Sequence, residues 1–423
     1  MEYLEVQGGN PLRGEINISG SKNATFPILS AALLVKGRMH FSNVPKILDV
    51  LTFTKVLESL GVGVEEDTDG FTLDTSKDIS SIKDSHPEEH NLRGTQTLLG
   101  ALIGRTGEAK LSSLGGCNIG TRPIDLHLKG MQALGVDLKW EEGFLTAKVK
   151  DKLQGNLIYL DFPSVGATEN IIIASTLAEG ETIIQNGARE PEIRDLINFL
   201  NACGANIEMN GSGIIKIKGV NALKPADYSI ISDRIEAATY LIMGIATRGD
   251  VKVRNCNPYY FEPVIMKLKE AGAEVDVYDK EVRGRFRDHI RGINVKTLPF
   301  PGFPTDVQPQ MMAFLSRAEG TSVIIETIFE NRFRVAEELT KMGANIKIEG
   351  NTAVITGVSS LNGANVNVPD LRGGAALLIA ALSAEGTSRI YDPIHIDRGY
   401  ENIIEKINKV GGIVERKAES RIL

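Results

Sequence analysis

A tripeptide, Ala-Glu-Gly or a looser version of it, recurs along the chain and ends at Gly37, Gly107, Gly180, Gly249, Gly320 and Gly386. A second mark, a glycine followed by a small residue, one variable position and an aliphatic, stands at Gly61, Gly135, Gly204, Gly272, Gly343 and Gly411, each time about a third of the way to the next tripeptide. Two independent marks with one period define six internal repeats of roughly 70 residues, a tighter constraint on the fold than any single motif.

Each repeat reads from its punctuation. Ahead of the first glycine lies an apolar, alanine-rich helix, as in residues 24–34 and 373–382, which the glycine is expected to stop. A short alternating strand follows, for example Thr182-Ile183-Ile184-Gln185, and leads to a turn residue six places after the glycine: Asn43, Ser113, Asn186, Asn255, Glu326 or Asp392. A second, more amphipathic helix, as over residues 191–200, then ends at the second glycine, and more strand follows. The first helices are apolar nearly all round, and such helices have to be buried. The pattern therefore predicts an α/β protein with helices at the centre and sheets facing outward.

A length of 423 residues exceeds the usual single-domain ceiling, and 42% hydrophobic residues are ample for two cores. Periodicity and length together place one domain boundary near residue 230. Three cysteines, Cys117, Cys203 and Cys256, cannot all pair with one another and fit a reducing cytoplasm. The first residues lack the basic and apolar regions of a signal peptide, and no apolar run reaches the length of a membrane span. A formal net charge of −7 argues against broad nucleic-acid binding, which depends on neutralising phosphates over a surface. An anionic substrate would need a local cluster of cations.

Such a cluster is legible at the helix starts. Counting back roughly four helical turns from each first glycine gives Lys22, Arg93, Gly166, Arg234, Asp306 and Arg372. Cations are unfavourable at a helix N-terminus, where acids are preferred, so four of six carrying a positive charge points to function. Together with N–H groups left over at those termini they would form an anion site. Counting forward from the same glycines to just beyond the first strand of the repeat reaches Cys117, Arg189, Glu190, Arg332 and Arg398. Cys117 lies in the glycine-rich stretch Gly115-Gly116-Cys117-Asn118-Ile119-Gly120-Thr121-Arg122-Pro123, where a nearby guanidinium favours the thiolate and tunes the thiol as acid or nucleophile. The other two cysteines read as core filling. His86 and His90 are four apart, but Pro87 would interrupt a helix presenting them, so no metal site is expected there.

That loop, with Gly20-Ser21-Lys22-Asn23-Ala24, Phe303-Pro304-Thr305-Asp306, Phe329-Glu330-Asn331-Arg332-Phe333, Asp370-Leu371-Arg372 and His395-Ile396-Asp397-Arg398-Gly399-Tyr400, resembles the UDP-N-acetylglucosamine enolpyruvyl transferases (1-carboxyvinyltransferases) of bacterial cell-wall synthesis. The motifs occur in order over nearly the whole chain. The resemblance implies two inside-out α/β barrel domains of three repeats each, with the active site in the interdomain cleft. One domain would span residues 22–230, and the other 1–21 with 231–423. It implies transfer of the enolpyruvyl group of phosphoenolpyruvate to the 3′-hydroxyl of UDP-N-acetylglucosamine with release of phosphate. That is the first committed step of peptidoglycan precursor synthesis and the target of fosfomycin, and it needs neither cofactor nor metal.

Residue by residue, Cys117 matches the family's acid, Asp306 its proposed base, and Lys22, Arg122 and Arg398 its phosphoenolpyruvate contacts. Arg93, Arg332 and Arg372 match further cleft residues. Asn23, the run Arg122-Pro123-Ile124-Asp125-Leu126, Ser164-Val165-Gly166, Asp306 and Ile328 match the nucleotide-sugar contacts. Phe162 stands where some members have a lysine, and Leu114 where many have proline. The sister enzymes acting on shikimate 3-phosphate share the repeats but lack the cysteine loop. A silent paralogue that binds UDP-sugar would have no reason to keep Cys117, Asp306, Lys22, Arg122 and Arg398 together.

Overall fold

The computed structural model describes residues 2–80, 93–112, 124–141 and 144–419, with backbone alone at Arg93, Gly94 and Ser112. Cys117, Arg122 and Pro123 lie outside the described residues, as do the histidines at 86 and 90. Contacts divide the described residues into two units, one drawn from residues 20–231 and the other from the flanking stretches up to 19 and from 232.

In the first unit the helices Lys22–Ala31, Leu98–Thr106 and Val165–Ser175 pack pairwise against one another at the centre. In the second the same is true of Arg234–Ala246, Gln308–Leu315 and Leu371–Ser383. All thirteen residues of Leu371–Ser383 are buried, as the apolar-all-round pattern requires, and a fully buried Leu or Ile there stabilises the fold by about 1.5–3 kcal/mol. Small residues let the central helices meet at the backbone. A Cβ on Gly100 would stand 2.4 Å from the Asn170 carbonyl oxygen. Six sheets surround these helices, five of four strands and one of three among the described residues. Their strands alternate buried and exposed positions, as in Glu181–Gln185, so each sheet has one wet face.

The repeat runs strand, helix, parallel strand, second helix, then an antiparallel pair. The third copy shows it in full: Leu157–Tyr159 pairs parallel with Glu181–Gln185, which pairs antiparallel with Ile215–Lys218. Two copies exchange their leading strands. Arg13–Asn17 precedes the first central helix in sequence yet pairs with Asp250–Arg254 of the fourth repeat. Tyr228–Ser229 precedes the fourth helix yet pairs with Arg38–Ser42 of the first. The sixth sheet closes with Glu2–Gln7 between Thr387–Tyr391 and Ile413–Ala418.

The punctuation has a backbone cause. All six second-mark glycines have φ between +89° and +101° and directly follow the C-cap of the second helix, a left-handed conformation that costs a side-chain-bearing residue roughly 1–2 kcal/mol. The turn residues Asn43, Asn186, Asn255 and Asp392 are also left-handed, at φ +54° to +58°. The three asparagines do the same work: each Nδ2 donates to a carbonyl just past the parallel neighbour strand, at Ile230, Leu160 and Ile18. Glu326 departs from this set, and Ser113 lies outside the described residues.

The first-mark glycines behave less uniformly than expected. Gly107 caps its helix directly in the left-handed region, whereas the helices ahead of Gly180, Gly320 and Gly386 stop at Ser175, Leu315 and Ser383, leaving a short turn. In the fourth repeat Arg248 takes the positive φ, and Gly249 serves a close approach instead, since a Cβ there would stand 2.0 Å from the Leu12 carbonyl oxygen.

Candidate active site

In the unit that contains it, Asp306 sits in a single turn of 3₁₀ helix, Thr305–Val307, leading into helix Gln308–Leu315. Its carboxylate is gripped by two guanidiniums. Arg332 Nη2 lies 2.5 Å from Oδ1 and Arg372 Nη2 lies 3.2 Å from Oδ2. The arginine side chains are 2% and 4% exposed and the aspartate 25%, so cations this deep depend on anionic partners while the carboxylate still meets solvent. Burial works against the charge of Arg372, but Tyr400, Asp306 and Asp233 outweigh it and raise its pKa. Arg372 also stacks on the Tyr400 ring at 5.4 Å and Arg332 on Phe329 at 5.7 Å. Arg372 Nη1 is buried with no hydrogen-bond partner among the described residues.

Neighbouring groups hold this cluster in place. Gln310 Nε2 donates to the Asp306 carbonyl at 2.9 Å, to Thr239 Oγ1 at 3.1 Å and to the Tyr400 hydroxyl at 3.2 Å. The Glu326 carboxylate accepts from the Thr305 and Thr297 hydroxyls and from the N–H groups of Ile328 and Phe329. Ile328 and Thr305, the neighbour of Asp306, are thereby tied through one side chain. Arg398 is half-buried at the end of the short helix Ile394–Asp397, two residues before Tyr400.

In the other unit Lys22, first residue of its helix, donates to Asp49 Oδ2 at 2.6 Å, with side chains 12% and 8% exposed. Asn23 follows it, half-buried. Ser164 caps helix Val165–Ser175 through the Ala167 N–H, and Gly166 lies in the first turn. A Cβ on Gly166 would come within 3.1 Å of the His127 ring. His127 belongs to helix Asp125–Ala133, whose start carries exposed Asp125 and half-buried Ile124 and Leu126. The two sequence-distant runs matched to the nucleotide sugar are thus joined through the His127 ring.

That ring is neutral. Asn170 Oδ1 accepts from the Gly100 N–H and its Nδ2 donates to the Gln96 carbonyl, which fixes the amide's orientation; Nδ2 therefore also donates to His127 Nδ1, at 2.7 Å. Burial pushes the imidazole pKa down to about 4. Beside Asn170 on helix Val165–Ser175, burial and then the charges of Glu192 and Glu190 push the Glu169 carboxyl well above its ordinary value.

At four of the helix starts a side-chain cap shares the terminus with the N–H groups expected to form an anion site: Ser21 and Ser164 each accept from one first-turn N–H, and Asp233 and Asp370 from two. Three of the four cations have an answer: Asp49 at Lys22, Asp306 at Arg372, and the Phe300 ring at 5.8 Å from Arg234. Arg93 begins the 3₁₀ turn Arg93–Thr97. Cys203 and Cys256 are core residues, with burial pushing their thiols up to about 11 and about 12. The sequence reading missed Asp49 and Gln310; the signal available for Asp49 was an acid on the apolar face of its helix, 6% exposed in the fold.

Residues 6–407 match the family model described as EPSP synthase (3-phosphoshikimate 1-carboxyvinyltransferase), which gives the class: carboxyvinyl transferases. Solved structures agree in fold. An enolpyruvyl transferase, NikO from Streptomyces tendae, superposes with TM-score 0.89 at 25% identity over 99% of both chains. EPSP synthase from Acinetobacter baumannii superposes at 0.76 with 19% identity, over 99% of this chain and all of the other. Curated relatives are nearer in sequence: UDP-N-acetylglucosamine 1-carboxyvinyltransferase 2 of Carboxydothermus hydrogenoformans is 47% identical across 99% of this chain and 100% of the relative. UDP-N-acetylglucosamine 1-carboxyvinyltransferase 1 of Halalkalibacterium halodurans is 44% identical across 99% and 96%. The chain belongs to the UDP-N-acetylglucosamine 1-carboxyvinyltransferase family.

Proposed function

We propose that this protein transfers the enolpyruvyl group of phosphoenolpyruvate to the 3′-hydroxyl of UDP-N-acetylglucosamine and releases phosphate. The observation that carries the reading is full-length identity of 44–47% to relatives bearing that name, joined to a carboxylate held between two buried guanidiniums. In the addition step the sugar oxygen bonds to C2 of the enolpyruvyl group, Asp306 takes the hydroxyl proton, and Cys117 delivers a proton to C3. Elimination then breaks the C2–O bond to phosphate and returns a proton from C3 to the Cys117 thiolate, restoring the vinyl group, while the proton on Asp306 leaves with the phosphate. Lys22, Arg122 and Arg398 hold the phosphoenolpyruvate, the arginines by bidentate recognition, while Arg332, Arg372 and Arg93 add positive charge. Asn23, residues 122–126, Ser164, Val165, Gly166 and Ile328 receive the nucleotide sugar. Residues 22–230 supply one functional domain and the remaining stretches the other.

The product enters peptidoglycan synthesis and the enzyme works in the cytoplasm, a reading supported by three cysteines too few for a disulfide framework. No helix among the described residues is long and apolar enough to cross a membrane. The test is phosphate release with phosphoenolpyruvate and either UDP-N-acetylglucosamine or shikimate 3-phosphate. Release with the nucleotide sugar alone is expected. Release with shikimate 3-phosphate, or with neither, would refute the reading.

A further inference from the structure

Ser19 is the last residue of its unit before the chain leaves it at Gly20, and its N–H and its hydroxyl are both held by charged side chains. Its N–H donates to Glu236 Oε2 at 2.8 Å, on the central helix Arg234–Ala246. Its hydroxyl donates to Glu401 Oε2 at 2.5 Å and accepts from Lys406 Nζ at 2.7 Å. Lys406 Nζ also donates to Glu236 Oε1 at 2.7 Å, in an ion pair whose side chains are 17% and 3% exposed. A hydroxyl suits this position because it accepts from the ammonium and donates to the carboxylate at once. Through it, one lysine serves two glutamates.

Glu401 belongs to the turn that carries Arg398. The N–H groups of Gly399 and Tyr400 both bond back to the Ile396 carbonyl, and Asn402 closes the turn at φ +51°. Two adjacent side chains then pin it: Tyr400 reaches Thr239 and Gln310 in the core, and Glu401 reaches Ser19. Gln310 in turn holds the Asp306 carbonyl.

We propose that the quartet Ser19, Glu236, Lys406 and Glu401 is a positioning device for Arg398, setting the turn that presents its guanidinium to the phosphoenolpyruvate without touching substrate. The proposal rests on the reading of Arg398 as a phosphoenolpyruvate contact. Loss of the Ser19 hydroxyl leaves Lys406 and Glu401 to pair directly or to take up water, and either moves the turn.

The experiment is steady-state phosphate release by the full chain carrying Ser19→Ala, Ser19→Thr, Glu401→Gln, Arg398→Ala, or Ser19→Ala with Arg398→Ala. Ser19→Ala should raise KM for phosphoenolpyruvate roughly 5- to 20-fold, the scale of one hydrogen bond to a charged group coupled to its neighbour. KM for UDP-N-acetylglucosamine should stay within about twofold, a split that general loosening of the fold would not produce. Ser19→Thr, which keeps the hydroxyl, should recover most of the loss. Glu401→Gln keeps the shape and removes the charge, and should shift the same constant in the same direction even if Ser19→Ala folds poorly. In the Arg398→Ala background the Ser19→Ala effect should vanish. An unchanged phosphoenolpyruvate KM in Arg398→Ala overturns the substrate reading itself. A raised value there with an additive Ser19→Ala effect, or equal rises in both KM values, overturns the positioning role alone.

Discussion

Acidifying the protein from pH ~7 to ~4.5 should cost it roughly 2 kcal/mol through His127 alone, because its pKa is about 4 in the fold against 6.5 for the free ring. The cause is burial, reinforced by Asn170 Nδ2, whose donation to Nδ1 leaves no place for a second ring proton. As the pH falls the unfolded chain takes up its proton first, so stability is lost progressively below about 6.5 and the loss levels off below about 4, at a total of about 3 kcal/mol for 2.5 units. The perturbation is His127→Gln, which cannot titrate. The assay is urea unfolding of both proteins at the two pH values, followed by fluorescence of Trp140, the single tryptophan, which lies in the same unit as His127. The stability of wild type minus variant should fall by roughly 2 kcal/mol on acidification. An equal difference at both pH values would refute the argument, and an NMR pKa near 6.5 would show that the ring is not desolvated in solution.

Asp306→Asn keeps the side chain's shape and removes its basicity, so nucleotide-sugar binding by calorimetry should survive while turnover falls roughly 10²-fold or more; near-normal turnover would dismiss Asp306 as the base. Cys117→Ser should lower turnover roughly 10²- to 10⁴-fold. Cys117→Asp, still an acid if its pKa is raised, should keep measurable activity and resist fosfomycin; intact-mass spectra showing an adduct on that variant, or on Cys203 or Cys256 in the wild type, would exclude Cys117 as the reactive thiol. Gly204, at φ +98° with open space around its Cβ position, should lose about 1 kcal/mol as alanine. Gly357, whose Cβ would lie 1.5 Å from the Ala318 carbonyl oxygen, should lose far more. Thermal melts that rank these two the other way would show that backbone strain outweighs steric contact here.

What could be read from the residues was whatever is local. A left-handed turn demands Gly or Asn at one position, so the second-mark glycines and the asparagines at 43, 186 and 255 showed in the sequence and recur as one backbone geometry. An apolar-all-round helix announces its own burial, and Leu371–Ser383 is buried at every residue. Which sheet a strand joins is not local. Nothing in Arg13–Asn17 says that it pairs with residues 250–254 rather than with its own repeat, and the two-residue strand Tyr228–Ser229 is too short to show any periodicity. From the repeat alone the Asp306 site was legible as charged residues at matching positions, and only the family resemblance placed those residues together in a cleft. That Arg332 and Arg372 converge on one carboxylate depends on turns whose geometry Glu326 and Gln310 set through contacts to Thr297, Thr239 and Tyr400, residues far away in sequence.

The exchange of leading strands also orders the protein's birth. A ribosome that has released residues up to 229 has delivered every described strand of the unit built from residues 20–231, which can then fold while synthesis continues. The other unit has to wait. Its strands Glu2–Gln7 and Arg13–Asn17 emerge first, but their partners are Asp250–Arg254, Thr387–Tyr391 and Ile413–Ala418. These two strands therefore remain unsatisfied β-edges until the partner strands are made, at about 5–20 residues per second a delay of tens of seconds. Nascent chains stalled before residue 250 should hold these strands open to chaperones and proteases, and the released protein should not.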